Sequence, residues 1–287
     1  MSIQKIHFTT FFVLLLFLVA GCVSHGDQKN ENESVFIDFE KDEVGKYSEK
    51  QLKKEWTGTH ILCGKQDYVF YKLGITPYPL SVGEEDNNKY MSVLIDKGRF
   101  GPVVGAQWST PLVPSNSFYL TYRLKFAEGF DFRRGGKLPG LAGGKGNSGG
   151  NVPNGSDGWS ARMMFWENGK LSFYLYYPDQ PGKFGDPLVW KYPNGEVVQA
   201  EAGKWYTLKQ YIQMNDPGKK NGIVRGWLDG KLVCETDTIR FRDIETLNID
   251  QVFFSVFMGG DDSTWAPEKD QYVYFDDFEA SNPSKKQ

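Results

Sequence analysis

From Val35 onward the apolar positions recur at every second residue rather than at a helical spacing. Phe118, Leu120, Tyr122, Leu124 and Phe126 alternate with Tyr119, Thr121, Arg123 and Lys125, and a period of two places the first set on one face of a strand and the second on the other. Similar short runs fall at 35–39, 68–73, 90–95, 103–108, 160–166, 171–177, 205–213, 222–228, 231–235, 252–258 and 272–278. No segment of comparable length combines a helical period with helix caps. About a dozen short strands separated by Gly, Pro and Asn predict an all-β chain, an antiparallel β-sandwich of the jelly-roll kind. Neither a repeat nor a linker interrupts residues 35–282, so one domain is expected there. The least regular stretch, 127–158, is rich in glycine and reads as a long functional loop.

The segment 160–176 specifies its own pairing. Ser160-Ala161-Arg162-Met163-Met164-Phe165-Trp166 passes through Glu167-Asn168-Gly169 into Lys170-Leu171-Ser172-Phe173-Tyr174-Leu175-Tyr176. A two-residue turn at Asn168-Gly169 would set Met163 opposite Tyr174 and Phe165 opposite Ser172, which mixes the faces. A three-residue loop, with Gly169 left-handed as a bulge, shifts the pairing by one. Ala161, Met163 and Phe165 then meet Leu175, Phe173 and Leu171 on a wholly apolar face, and this pattern selects the second register. On the other face Ser160 stands across from Tyr176 and Arg162 across from Tyr174, with Cβ atoms about 5 Å apart. Such a group on the non-core face of a concave sheet suits a groove for an extended polymer. The plainer reading is an arginine over tyrosine rings on a solvated face.

Ahead of the strands, Lys5 precedes an apolar run from Phe11 to Ala20 that is too short for a membrane span. Its end, Leu18-Val19-Ala20-Gly21-Cys22, resembles a bacterial lipobox, in which cleavage precedes a lipidated cysteine. Residues 1–21 are therefore expected to be a lipoprotein signal peptide, and residues 22–34 a flexible polar tether from lipidated Cys22. An ordinary secretory signal with an incidental cysteine is the alternative. Val23, where aspartate would favour inner-membrane retention, points to the outer membrane, on either its periplasmic or its cell-surface side. In that oxidising compartment Cys63 and Cys234 could bridge or remain two buried thiols.

Composition narrows the chemistry. Lys and Arg total 33 against 36 Asp and Glu, a formal charge of -3, so the broad positive surface of a nucleic-acid binder is missing. The 40% hydrophobic and 15% aromatic content can fill a sizeable core. Arg133, Arg134, Lys137 and Lys145 form an expected local positive patch in the glycine-rich stretch. Gly143-Gly144-Lys145 is not a phosphate cradle, because Gly146 stands where Ser or Thr is needed. His60 is the one histidine within 35–282, too few for a histidine metal site and the single candidate base for a serine triad. Asp261-Asp262 and Asp276-Asp277 would face opposite ways on a regular strand, so neither forms a carboxylate dyad. Arg123, Lys125, Lys209 and Tyr211 are weaker candidates to line a substrate groove.

A family resemblance gathers these residues. Gly135-Gly136-Lys137-Leu138-Pro139-Gly140-Leu141, Ser160-x-Arg162, Tyr174-x-Tyr176, Gly259-Gly260-Asp261-Asp262-Ser263-Thr264-Trp265-Ala266-Pro267 and Tyr274-Phe275-Asp276-Asp277-Phe278 resemble, in order and spacing, polysaccharide lyase family 14, the alginate and glucuronan lyases. The likeness spans roughly residues 35–280. It implies a β-jelly roll that cleaves acidic polysaccharides by β-elimination, with a catalytic set falling on Lys137, Ser160, Arg162, Tyr174 and Tyr176. The scheme needs no metal or other cofactor, and the chain is expected to act as a monomer. A uronate carboxylate must be neutralised before its C5 proton can leave, which suits Arg162. Lys137 and one tyrosine, Tyr176 by preference, are expected to share the base and acid roles, with Ser160 positioning substrate and Tyr174 binding it. A lectin-like lipoprotein that binds without cleaving is the alternative.

Overall fold

The computed structural model describes residues 34–63, 73, 78–102 and 104–283, with the backbone alone given for Leu62 and Cys63. The expected signal peptide, tether and lipidated Cys22, and all but the last residue of the run at 68–73, lie outside the described residues. In chain order the strands are β1 (Ser34–Ile37), β2 (Gly45–Lys46), β3 (Thr59–Cys63), β4 (Leu80–Glu85), β5 (Asn88–Ile95), β6 (Ala106–Ser115), β7 (Ser117–Phe126) and β8 (Gly135–Gly144). They continue with β9 (Gly158–Trp166), β10 (Leu171–Tyr176), β11 (Asp186–Val189), β12 (Trp205–Gln213), β13 (Gly222–Leu228), β14 (Lys231–Ile239), β15 (Ile249–Met258) and β16 (Gln271–Ser281).

Among the described residues the strands make two antiparallel sheets. Nine strands follow the order β14-β13-β12-β7-β16-β5-β4-β2, with β1 paired to β16, and seven follow β11-β10-β9-β8-β15-β6-β3. This is a jelly-roll β-sandwich. The alternation read from the sequence decides the layers: Phe118, Leu120, Tyr122, Leu124 and Phe126 of β7 and Ala161, Met163 and Phe165 of β9 lie in one core cluster between the sheets. Removing such side chains from water stabilises the fold by about 1.5–3 kcal/mol each.

The β9–β10 hairpin has the predicted register, with Ser160 opposite Tyr176, Arg162 opposite Tyr174 and Met163 opposite Phe173. Gly169 is left-handed at φ 73°, and so is Asn168 at φ 60°. One short helix escapes the sequence reading, α1 (Glu49–Glu55). Ser48 caps it by accepting from the Gln51 N–H at 3.2 Å, and the Ser-x-x-Gln spacing is its sequence signature.

The larger correction concerns 127–158. Its middle is not a loop but β8, a central strand between β9 and β15. Lys137 pairs with Met164 and Leu138 with Met163, but Gly140 pairs with Arg162, so Pro139 is an extra residue in a β-bulge. Two buried side chains from the other sheet repair the ladder there. Tyr122 donates its hydroxyl to the Pro139 carbonyl at 3.1 Å. Gln210 accepts from the Leu141 N–H at 3.0 Å and donates to the Ala161 carbonyl at 2.6 Å. The expected positive patch disperses as well. Arg133 pairs with Glu268 at 2.9 Å, Arg134 with Asp262 at 3.8 Å and Lys145 with Asp157 at 3.8 Å, while Lys137 is buried. Cys234 is a free thiol whose pKa burial raises to about 11; the Cys63 side chain lies outside the described residues.

Candidate active site

With Ala161, Met163 and Phe165 turned into the core, the pleat of β9 sends Ser160, Arg162 and Met164 to the outer face of the seven-stranded sheet. Neighbouring strands add Lys137 from β8, Tyr174 and Tyr176 from β10, and Phe253 and Ser255 from β15. The bulge matters here. It changes the phase of β8, so that Lys137 faces outward while Leu138 and Leu141 reach the core.

Arg162 is 3% exposed. Its Nη1 donates to Ser255 Oγ at 3.0 Å, and Ser255 Oγ donates in turn to Gln107 Oε1 of β6 at 3.2 Å. The guanidinium lies 4.8 Å from the Phe253 ring centroid, and its buried Nε has no partner. Burial lowers its pKa to about 10, against the opposing pull of Tyr176 and Tyr174. Lys137 is 7% exposed. Its Nζ lies 3.8 Å from the Tyr174 ring centroid and donates to Met164 Sδ at 2.9 Å. Burial, and next the Arg162 charge, hold the Lys137 ammonium well below the ordinary lysine range. Among the described residues neither cation has a carboxylate within salt-bridge distance.

The tyrosine rings meet edge to face, with centroids 5.8 Å apart. Burial raises the Tyr174 hydroxyl to about 12, so it stays protonated at neutral pH. The Tyr176 hydroxyl oxygen accepts from the Gly150 N–H at 3.2 Å, and Ser160 Oγ donates to the Asn147 carbonyl at 2.6 Å. Ser160 thus holds the segment after β8 over the site. From the other side Gly185 closes on the rings, and a Cβ there would meet Tyr174 and Tyr176 at 2.8 Å.

The five candidates from the sequence are therefore together. Sequence reading missed Ser255, Gln107, Phe253 and the roof at Asn147, Gly150 and Gly185. For Ser255 the signal was present, a lone serine in the apolar run Val252–Met258. Arg123, Lys125, Lys209 and Tyr211 are not with them. They lie on β7 and β12, whose outward residues cover the other side of the sandwich, because positions 118–126 that face the core are the even ones. Beside Gln107 and Phe253 opens a groove of about 610 Å³, whose lining includes His60, Lys145, Ser148 and Gln251. A larger cavity of about 860 Å³ lies among β1, β2 and α1 and contains none of the site residues. Among the described residues no group of three His, Cys, Asp or Glu side chains is gathered as a metal-ligand set.

The sequence profile of polysaccharide lyase 14 matches residues 84–278, which include every one of these side chains except His60. The chain belongs to polysaccharide lyase family 14. The fold of this lyase is similar to that of alginate lyase Aly36B, at a TM-score of 0.74 and 23% identity over 88% of this chain and 98% of that one. It is similar also to the marine PL-14 alginate lyase from Aplysia kurodai, at 0.69 and 21% over 87% and 98%. Alginate lyase vAL-1 from Chlorella virus follows at 0.60 and 24%, over 71% and 88%. Mutant forms of Aly36B are complexed with an alginate tetrasaccharide and an alginate trisaccharide. No curated protein matches the lyase significantly.

Proposed function

We propose that this lyase cleaves an acidic, uronate-containing polysaccharide, such as alginate or glucuronan, by β-elimination. The observation that carries the reading is a buried arginine and a buried lysine side by side with no carboxylate of their own among the described residues. Unpaired buried cations are costly, and an anion brought by the substrate offsets that cost. Arg162 neutralises the uronate carboxylate, onto which the negative charge developing at C5 spreads. Lys137, whose pKa burial and the neighbouring Arg162 charge hold well below the ordinary lysine range, takes the C5 proton in its unprotonated form. The C5–H electron pair becomes the C4–C5 double bond as the C4–O4 bond breaks. Tyr176, whose oxygen accepts from Gly150, gives its hydroxyl proton to the departing O4. Tyr174 supports the Lys137 amine on its ring face, and Ser160 fixes the covering segment. The acidic polymer is further supported by the alginate oligosaccharides bound to the similar lyase.

The experiment follows ultraviolet absorbance when the chain is mixed separately with polymannuronate, polyguluronate and glucuronan. A rise that Lys137→Ala abolishes is expected from the conjugated product. Flat traces with polymer still retained would make the protein a carbohydrate binder instead. We propose further that the mature chain begins at lipidated Cys22, on the strength of the lipobox-like Leu18–Cys22, and is held at the outer membrane, on the strength of Val23; we propose that it acts there as a monomer. Cys22→Ser should then leave the chain unlipidated and uncleaved, read as a larger intact mass that retains residues 1–21.

A further inference from the structure

The outer face of the nine-stranded sheet, on the opposite side of the sandwich from Arg162, carries a second arrangement of rings and cations. Lys209 of β12 lies 4.3 Å from the Tyr119 ring centroid and 5.5 Å from that of Trp227. Tyr119 and Tyr211 are neighbours across β7 and β12, centroids 4.7 Å apart, and Tyr119 lies 6.4 Å from Trp227. All three rings are partly exposed. Cross-strand cation–π pairs can serve the sheet alone, and Arg225 beside Tyr211 fits that purpose, since Glu235 answers its charge at 2.5 Å. Toward β16 the same holds. Arg123 meets Asp276 at 3.3 Å and Asp277 at 3.7 Å, and Lys125 pairs with Glu85. Lys209 differs. Among the described residues it has no carboxylate within salt-bridge distance, in a chain where acids outnumber bases.

We infer that this face is a second, non-catalytic binding surface for a uronate polymer. The partly exposed rings, Tyr119 inclined 36° to Tyr211 and 51° to Trp227, offer apolar edges and faces to the C–H groups of pyranose units, and the unanswered ammonium over Tyr119 and beside Trp227 suits a ring carboxylate. A neutral glycan would leave that charge unused. Nucleic acid or an anionic bilayer would demand many cations where this patch offers one in excess. The choice of uronate polymer rests on the function proposed above, while the surface itself rests on Lys209 and its rings. Holding one stretch of a long chain here keeps another near the cleaving face and raises its effective concentration.

The test uses the full chain carrying Lys137→Ala, so that polymer is bound but not consumed, and measures retention on immobilised polymannuronate and polyguluronate. Adding Lys209→Ala or Trp227→Ala should weaken retention roughly tenfold, the equivalent of about 1.4 kcal/mol. Lys209→Arg should keep it, and the chain should not be retained on immobilised neutral dextran. Thermal melts of each variant establish that the fold is intact. In the chain with native Lys137, Trp227→Ala should leave cleavage of an alginate trisaccharide unchanged while raising KM for the long polymer. Retention unaffected by both Lys209→Ala and Trp227→Ala overturns the inference. So does a result in which these substitutions release the chain from anionic lipid vesicles but not from uronate polymer. If no polymer yields an ultraviolet product yet Lys209-dependent retention persists, the proposed lyase chemistry fails and the second surface stands.

Discussion

Lys137 is asked to do chemistry from a site where burial and the Arg162 charge both oppose its protonated form. Its folded-state pKa lies below the ordinary 10.5, so between the two values the unfolded chain binds more protons than the folded one, and stability rises with pH across that window. Lys137→Met removes the penalty. It should abolish activity and raise stability by on the order of 1–2 kcal/mol at neutral pH, a gain that vanishes as pH approaches that of free lysine; melting curves at several pH values check it. For the enzyme itself, kcat should rise with pH as the amine loses its proton. Gly185→Ala is the complementary case. The added methyl would meet both tyrosine rings at 2.8 Å, and Tyr176 is buried, so the rings must shift: activity should fall about 100-fold, the scale of a 1 Å misplacement, with a modest drop in melting temperature. Much of this site was legible: pairing across 160–176 placed Ser160, Arg162, Tyr174 and Tyr176 on one face from hydrophobic pattern alone. Gln107 was not, since nothing local to β6 says which strand will lie beside it.

At the scale of elements, β8 explains why a glycine-rich stretch read as a loop. Glycines at 136, 140 and 143 stand where neighbouring backbone or rings press in, with the Ala161 carbonyl only 2.2 Å from where a Gly140 Cβ would lie. The bulge at Pro139 then changes the phase of the alternation, so no period of two survives. Gln210 should therefore behave as part of this strand despite lying 69 residues away from Leu141 in sequence. Gln210→Leu leaves one N–H and one carbonyl unsatisfied in the core. Stability should fall by about 2–4 kcal/mol, read as a lower urea midpoint at constant slope, and activity should fall with it because Lys137 and Arg162 flank the repair. A second bulge misled the reading of Asp276 and Asp277. Asp277 is left-handed at φ 47° and the register shifts after Asp276, so both carboxylates reach Arg123 rather than opposite faces. Burial raises Asp276 to about 6. The folded chain thus binds the extra proton from about pH 4 to 6, and stability should decline as pH rises through that interval, a slope that Asp276→Asn should flatten in melting experiments.

Across the whole molecule, the family profile begins at residue 84, but the packing begins about fifty residues earlier. β1 pairs with β16, setting Val35 against Ala280 and Ile37 against Phe278. Just beyond α1, Trp56 is fully buried, with centroids 4.8 Å from Phe278, 5.1 Å from Trp108 and 5.6 Å from Phe254. These rings come from both sheets. Trp108 and Phe254, stacked 3.7 Å apart, sit next in sequence to Gln107 and to Ser255, which accepts from Arg162 and donates to Gln107. A domain cut at the family boundary would thus lack the aromatic plug that joins the layers at this end. Deleting residues 1–33 should leave one cooperative thermal transition, whereas deleting 1–57 should leave none. Trp56→Ala, the milder form of the same loss, should cost about 3–5 kcal/mol. Because Trp56 packs on Trp108 and Phe254, the neighbours of Gln107 and Ser255, activity per folded molecule should fall as well, with the change in KM for polymer exceeding that in kcat if Arg162 binds the ground-state carboxylate. Full activity in the folded fraction would separate the core from the site and leave Ser255 held by β15 alone.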